Sequence, residues 1–398
     1  MSQRIRLWGK RAGLVCVSLL FTLILLEVGF RLFYPQFGGC EFGMKDEELG
    51  WKLIPNHSGI CHGYGVVAVV QISAQGFRNP QFQIPKPPNL YRILVLGDST
   101  TFGIGVDASE TVPALLESEL TQNSSLSRRY EVVNAGVPGY GTAQEWLLYR
   151  RWGHDLDPDL VVLLFLTTND IQDNMCLDRS GSRPCFTLEQ NELELTRREV
   201  LSNPPPLALP NTSWTLADLH TYFFFRERIG YLVTSNSTIV RSLTRMGFEP
   251  DSEKLPPILH SWYQSPYATE GWRLTQALLD AMLTDIQNDS IPLLLVILPG
   301  QSQTTEDYSD LVDAIYGHTP EGALFRENPI RPQETLMRWA NERDVFAIDT
   351  LESLKETASL RSINLPDGHF NAVGNQAIAE EIYSFLNMAN LLQDPNTR

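Results

Sequence analysis

Positive charge is in short supply: 31 lysines and arginines stand against 47 aspartates and glutamates in 398 residues, a formal net charge of −16. A nucleic-acid footprint needs a basic face, so the balance argues against nucleic acid as a partner. Metal-binding spacing is missing as well. No CxxC or HExxH occurs, and a zinc site therefore has no motif behind it. The glycines from Gly97 to Gly105 enclose no lysine, which excludes a phosphate-binding loop, and no G-x-G-x-x-G directly follows the first predicted strand. Neither a metal nor an organic cofactor is expected.

Cysteine is scarce, with five in the chain. Cys16 lies in an apolar run. The other four form two local pairs, Cys40 with Cys61 and Cys176 with Cys185, and in an exported chain such pairs suggest disulfides. Four unpaired thiols would satisfy the same count.

What the sequence does have, at its start, is an export signal. Arg4, Arg6, Lys10 and Arg11 precede Ala12 to Leu26, a stretch without charge. No small-x-small cleavage site follows, and the faint lipoprotein-like Phe37-Gly38-Gly39-Cys40 lies too far downstream. The reading is an uncleaved signal anchor that extends through Glu27 and Arg31, whose side chains can snorkel. The positive-inside rule then leaves residues 1–11 in the cytoplasm and the remainder outside it.

Three regions are expected: 1–35, the basic tip and anchor; 36–90, an irregular, partly β lead-in with one alternating piece, Val66 to Ile72; and 91–398, the main domain. In the last, short apolar runs at 92–96, 130–133, 160–166, 292–298 and 345–348 read as strands. Helical periodicity appears between them, at 112–120, 142–152, 271–288, 334–343 and 371–392. Five strands alternating with helices call for a parallel sheet covered on both faces. Residues 171–269 interrupt the alternation with Pro204-Pro-Pro206 and Tyr222-Phe-Phe-Phe225, and read as an insertion or lid.

Ligands of open α/β sheets bind beyond the carboxyl ends of the strands. Four polar signals fall there or in the loop before the last helix: Gly97-Asp98-Ser99, Asn134-Ala-Gly136, Thr167-Thr-Asn169-Asp170 and Asp367-Gly-His369. Each alone is ordinary, since serine after a strand usually caps a helix and an Asn-Asp pair usually makes a turn. Together they supply what acyl transfer needs. Ser99 would be the nucleophile, His369 the base and Asp367 its orienter; the N–H groups of Ser99 and Gly136 and the Asn169 amide would receive the oxyanion.

These blocks resemble the SGNH/GDSL hydrolase superfamily: GDSTTFG around Ser99, NAGVPGYGT around Gly136, TTND around Asn169 and PDGHFNAVG around His369. Glu48-Leu-Gly-Trp51 and Gly76-Phe-Arg78 also resemble its bacterial membrane-tethered members. The resemblance implies a flavodoxin-like three-layer α/β/α fold and an extracytoplasmic esterase that works through a serine acyl-enzyme on a small-molecule or carbohydrate ester. Two departures stand out. Thr167 occupies the usual glycine position of the third block, where it could narrow the pocket, and Asp-x-His replaces Asp-x-x-His, a spacing similar to that of the alginate O-acetyltransferase-like branch. An O-acetyltransferase or deacetylase of cell-envelope carbohydrate is the neighbouring alternative, and a tethered non-catalytic scaffold the alternative of another class.

Overall fold

The computed structural model describes residues 2–33, 42–63, 66–122, 128–176, 183–190, 192–197, 219–222, 224, 225, 256–365 and 367–392. Helix α1 (Ser2–Phe33) opens the chain, and most of its apolar part, Gly13–Phe33, is exposed among the described residues. Two antiparallel hairpins follow: β1 (Gly43–Asp46) with β2 (Gly50–Leu53), and β3 (Ser58–Gly63) with β4 (Val66–Gln71). Only β4 was legible as alternation. The first two strands have four residues each, too few for a period of two to register.

Alternation then sets in. β5 (Leu90–Gly97) leads through α2 (Ser99–Phe102) and α3 (Val112–Gln122) to β6 (Arg129–Gly136), and α4 (Thr142–Leu156) leads to β7 (Leu160–Leu166). After α5 (Asp170–Asn174) comes an antiparallel hairpin that the sequence did not reveal, β8 (Cys185–Glu189) with β9 (Glu192–Arg197). The chain continues with α6 (Pro257–Tyr263), α7 (Trp272–Asn288) and β10 (Leu293–Leu298). Helices α8 (Gln301–Thr304), α9 (Glu306–Tyr316), α10 (Pro320–Glu327) and α11 (Arg331–Glu342) precede β11 (Phe346–Asp349), and α12 (Leu351–Leu360) and α13 (Ala372–Met388) close the domain.

β5, β6, β7, β10 and β11 form one five-stranded sheet in the order β11-β10-β7-β5-β6, every pair parallel. That is the flavodoxin-like winding expected from the sequence. The order reverses between β5 and β7, and the crevice beyond their carboxyl ends is the switch point at which such sheets bind ligands.

The apolar runs are continuous because both sheet faces are covered. Leu94, Val133, Leu163 and Leu295 point into one core layer with Leu148 of α4, Leu278 of α7 and Leu336 of α11. Their neighbours Ile93, Val132, Val162 and Leu294 point into the other, with Leu116 of α3, Leu354 of α12 and Ile378 of α13. Full burial of one such side chain contributes about 1.5–3 kcal/mol relative to exposure. The hairpins join the first layer through Leu49, Trp51, Leu53 and Ile72.

Cys176 and Cys185 are disulfide-bonded with their Cα atoms 5.8 Å apart, tying the end of α5 to β8. Cys61 is also disulfide-bonded; Cys40, the partner expected for it, lies outside the described residues. Cys16 is free and exposed on α1.

Candidate active site

The end of β5 becomes a helix at once. Asp98 caps α2, its Oδ1 accepting the Thr100 N–H at 2.8 Å, and Ser99 is the first helical residue. The end of β6 must pass directly beside this turn. A Cβ on Gly136 would lie 2.2 Å from the Phe102 nitrogen and 2.6 Å from the Thr101 carbonyl carbon, so only glycine permits the approach.

The loop before α13 meets the same turn from the other side. His369 Nε2 lies 2.9 Å from Ser99 Oγ, and His369 Nδ1 lies 2.8 Å from Asp367 Oδ2. Asp367 Oδ1 also accepts the backbone N–H of His369 at 3.2 Å. One carboxylate therefore orients both the ring and the backbone of the histidine. The two-residue spacing works because Gly368 takes φ +93°, a left-handed conformation suited to glycine, and its carbonyl is held by Asn364 Nδ2 at 3.0 Å.

Burial works against a charged His369, but the hydrogen bond and charge of Asp367, together with the charge of Asp98, outweigh it. The net effect raises its pKa above the usual 6.5.

The three expected oxyanion donors are differently placed. Among the described residues no acceptor takes the Ser99 N–H. The Gly136 N–H donates to Asn134 Oδ1 at 3.0 Å. Asn169 Nδ2 donates to Asp98 Oδ2 at 2.9 Å and to Asp173 Oδ2 at 3.0 Å, while its Oδ1 is buried without a hydrogen bond. Turning the amide over would bring that oxygen against two carboxylates, so the donors set the orientation. Thr167 does not crowd this group. Its hydroxyl is buried and donates to Leu298 O at 3.0 Å, beside the carboxyl end of β10.

Two further carboxyls belong to the same neighbourhood, and neither stood out in the sequence. Glu145, in the first turn of α4, and Asp170, at the start of α5, are buried. Burial pushes both above the carboxylate range, reinforced at Glu145 by the charges of Asp98 and Asp173 and at Asp170 by those of Glu145, Asp98 and Asp173. Neither Glu145 oxygen has a hydrogen-bond partner among the described residues.

The sequence also gave no sign of the bracing supplied by the lead-in. Arg78 is buried, and its guanidinium donates to Phe102 O at 2.8 Å, Val106 O at 2.7 Å and Val69 O at 3.0 Å. Burial lowers its pKa to about 10, partly offset by Asp107, so it stays charged at neutral pH. Trp51 Nε1 donates to Pro138 O at 3.1 Å, and the Tyr140 hydroxyl donates back to Trp51 O. The lead-in thus grips both the Ser99 turn and the loop after Gly136. A third brace comes from the β8 side, where Arg183 Nη1 lies 2.6 Å from Asp173 Oδ1.

Residues 95–222 match the GDSL-like Lipase/Acylhydrolase family. Solved structures that align with the chain include a lipase/acylhydrolase from Enterococcus faecalis, with 14% identity, 75% of this chain and 96% of that chain covered, and a TM-score of 0.34. A psychrotrophic esterase from Pseudoalteromonas sp. inhibited by monoethylphosphonate aligns at 11% identity, covering 75% and 97%, with a TM-score of 0.34. A catalytic mutant of an acetylxylan esterase from Geobacillus stearothermophilus aligns at 12% identity, covering 75% and 93%, with a TM-score of 0.36. Among curated proteins no sequence matches. The family match begins on the strand that delivers Ser99 and takes in Gly136 and Asn169; over residues 95–222 the chain is similar to GDSL-like lipases/acylhydrolases, which supports an ester-hydrolysing enzyme.

Proposed function

We propose that the protein hydrolyses esters through an acyl-enzyme on Ser99. The reading is carried by one observation: the unbroken chain from Ser99 Oγ to His369 Nε2 and from His369 Nδ1 to Asp367. Ser99 Oγ attacks the ester carbonyl while His369 Nε2 takes its proton, and Asp367 stabilises the imidazolium that forms. The carbonyl oxygen, now negative, is received by the Ser99 N–H. Asn169 joins it by turning one amide hydrogen from its carboxylate partner to the oxyanion, and Gly136 N–H completes the set. On collapse the C–O bond to the alcohol breaks and His369 returns the proton to the leaving oxygen. A water, deprotonated by His369, then adds to the acyl carbon and releases the acid and free Ser99.

The catalytic region is read as lying outside the cytoplasm on a single-pass anchor. The apolar part of α1 has 21 residues with a mean hydropathy of 2.3, roughly 31 Å of helix at 1.5 Å per residue, against about 30 Å of bilayer hydrocarbon. Arg11 and Lys10 at its N-terminal edge favour that end in the cytoplasm. The Cys176–Cys185 bond suits an oxidising compartment. On this reading residues 91–398 form the hydrolase domain, and the lead-in of residues 36–90 braces its nucleophile.

The test is rapid-quench mass spectrometry of the full chain with a slowly deacylating ester. An acyl group on the peptide containing Ser99, absent in Ser99→Ala, is the expected result. Full turnover with no covalent acyl intermediate would contradict the mechanism.

A further inference from the structure

The apolar stretch of α1 contains one acidic residue, Glu27, six residues before the helix ends at Phe33. At 1.5 Å per residue this is roughly 9 Å below the end of the helix, where an unpaired carboxylate in a bilayer is costly. The structure answers that charge from two directions. Arg31 Nε, one turn on, lies 2.7 Å from Glu27 Oε1. From the insertion, the His220 N–H donates to Oε1 at 3.1 Å and the Thr221 N–H to Oε2 at 2.9 Å. These two residues begin a helical turn. Its Phe224 ring then packs 4.6 Å from Phe30 of α1.

The insertion is therefore latched to the helix that carries the apolar surface, at the level where that helix would leave the bilayer. Beside Phe224, Tyr222 and Phe225 face outward, 46% and 45% exposed, as Leu32 and Phe33 of α1 are at 69% and 85%. An acyl pocket would demand the opposite, with these rings turned into the domain core. Tyrosine and its aromatic neighbours favour the boundary between headgroups and acyl chains, where an apolar ring and a polar edge are both accommodated.

We propose that Tyr222 and Phe225 make a second membrane contact, seated in the headgroup–acyl boundary of a phospholipid bilayer, with Glu27 as the latch that fastens their segment to the anchor. The occupant follows from continuity, since the exposed rings extend the apolar surface of α1, most of which is exposed among the described residues. This rests on the reading of α1 as membrane-spanning. The consequence is mechanical: the chain leaving the active site at Asn169 returns to the bilayer surface within the same insertion, which keeps the enzyme close to membrane-borne esters.

The experiment uses the full chain in phosphatidylcholine vesicles, on a Cys16→Ser background, with an environment-sensitive fluorophore at one introduced cysteine. The positions are Phe225→Cys in the turn, Leu20→Cys in the anchor and Thr187→Cys on the exposed hairpin. Lipids carrying a nitroxide near the headgroup should quench position 225 severalfold more than position 187, and mid-chain nitroxides should quench position 20. Adding Glu27→Ala should bring quenching at 225 down towards the level at 187. Quenching at 20 with none at 225 overturns the proposal and leaves the anchor standing. A fluorophore at 225 that is shielded from water yet not quenched by lipid would mean protein, a second copy included, covers the turn, which also overturns it. No quenching at 20 removes the anchor reading, and the proposal falls with it. If quenching at 225 survives Glu27→Ala, the latch role of Glu27 is wrong.

Discussion

The guanidinium of Arg78 donates to the carbonyl of Phe102 at 2.8 Å, at the far end of the one-turn helix that Ser99 begins. A helix this short has almost no hydrogen bonds of its own, so its position depends on what grips its ends. Arg78→Ala removes the grip and leaves buried carbonyls unpaired. The expected result is a fall in kcat of about tenfold to a hundredfold, in line with the cost of misplacing a catalytic group, with KM little changed. Arg78→Lys should not restore the rate, because an ammonium cannot reproduce the planar fork. An unchanged kcat in folded Arg78→Ala would dismiss the brace.

The base must be neutral to accept the Ser99 proton, and Asp367 and Asp98 raise the His369 pKa above 6.5. Activity should therefore rise with pH through a midpoint above 6.5 in kcat/KM measured with a neutral ester. Asp367→Asn removes the larger of the two favourable influences, so the midpoint should move down while the plateau drops by up to about 10⁴. His369→Ala should lose more. A wild-type midpoint at or below 6.5 would contradict the electrostatic account.

Asn169 is poised between two carboxylates. If it turns to the oxyanion in the transition state, Asn169→Ala should cost about 10²–10³ in kcat. A loss under about threefold would restrict the residue to holding Asp98 and Asp173 apart, and would leave the oxyanion to backbone donors.

Glu145 is buried without a hydrogen-bond partner among the described residues, and its pKa lies well above 4.5. Above pH 4.5 the unfolded chain loses this proton while the folded protein keeps it. Stability conferred by the protonated group is therefore complete at low pH and is lost as pH rises towards the folded-state value. Glu145→Gln keeps the shape and removes the titration. Its stability relative to wild type should grow by about 1.4 kcal/mol per pH unit over that window, measured by denaturant unfolding at several pH values. A difference independent of pH would mean that Glu145 is ionised in the folded protein.

The sheet was legible because its strands are buried on both faces and so read as unbroken apolar runs. Ser99, Gly136, Asn169, Asp367 and His369 were legible because strand ends and the loop before the last helix are where polar residues interrupt those runs. The braces were not. Arg78 and Trp51 act on backbone carbonyls of Phe102 and Pro138, and a carbonyl acceptor leaves no trace in residue type. Helices α9, α10 and α12 also escaped notice. Glu145 was not legible, since nothing in its residue type marks a carboxyl that the fold buries. Asp173 was not legible either, its partner Arg183 lying within the loop that the Cys176–Cys185 disulfide closes.

The central claim is that Ser99 is an activated nucleophile, and fluorophosphonate labelling of the full chain with intact-mass readout tests it most directly. The account predicts one adduct on the wild-type protein, none on Ser99→Ala, and sharply slowed labelling of His369→Ala. A folded wild-type protein that takes no adduct, or an adduct that persists in Ser99→Ala, would contradict it.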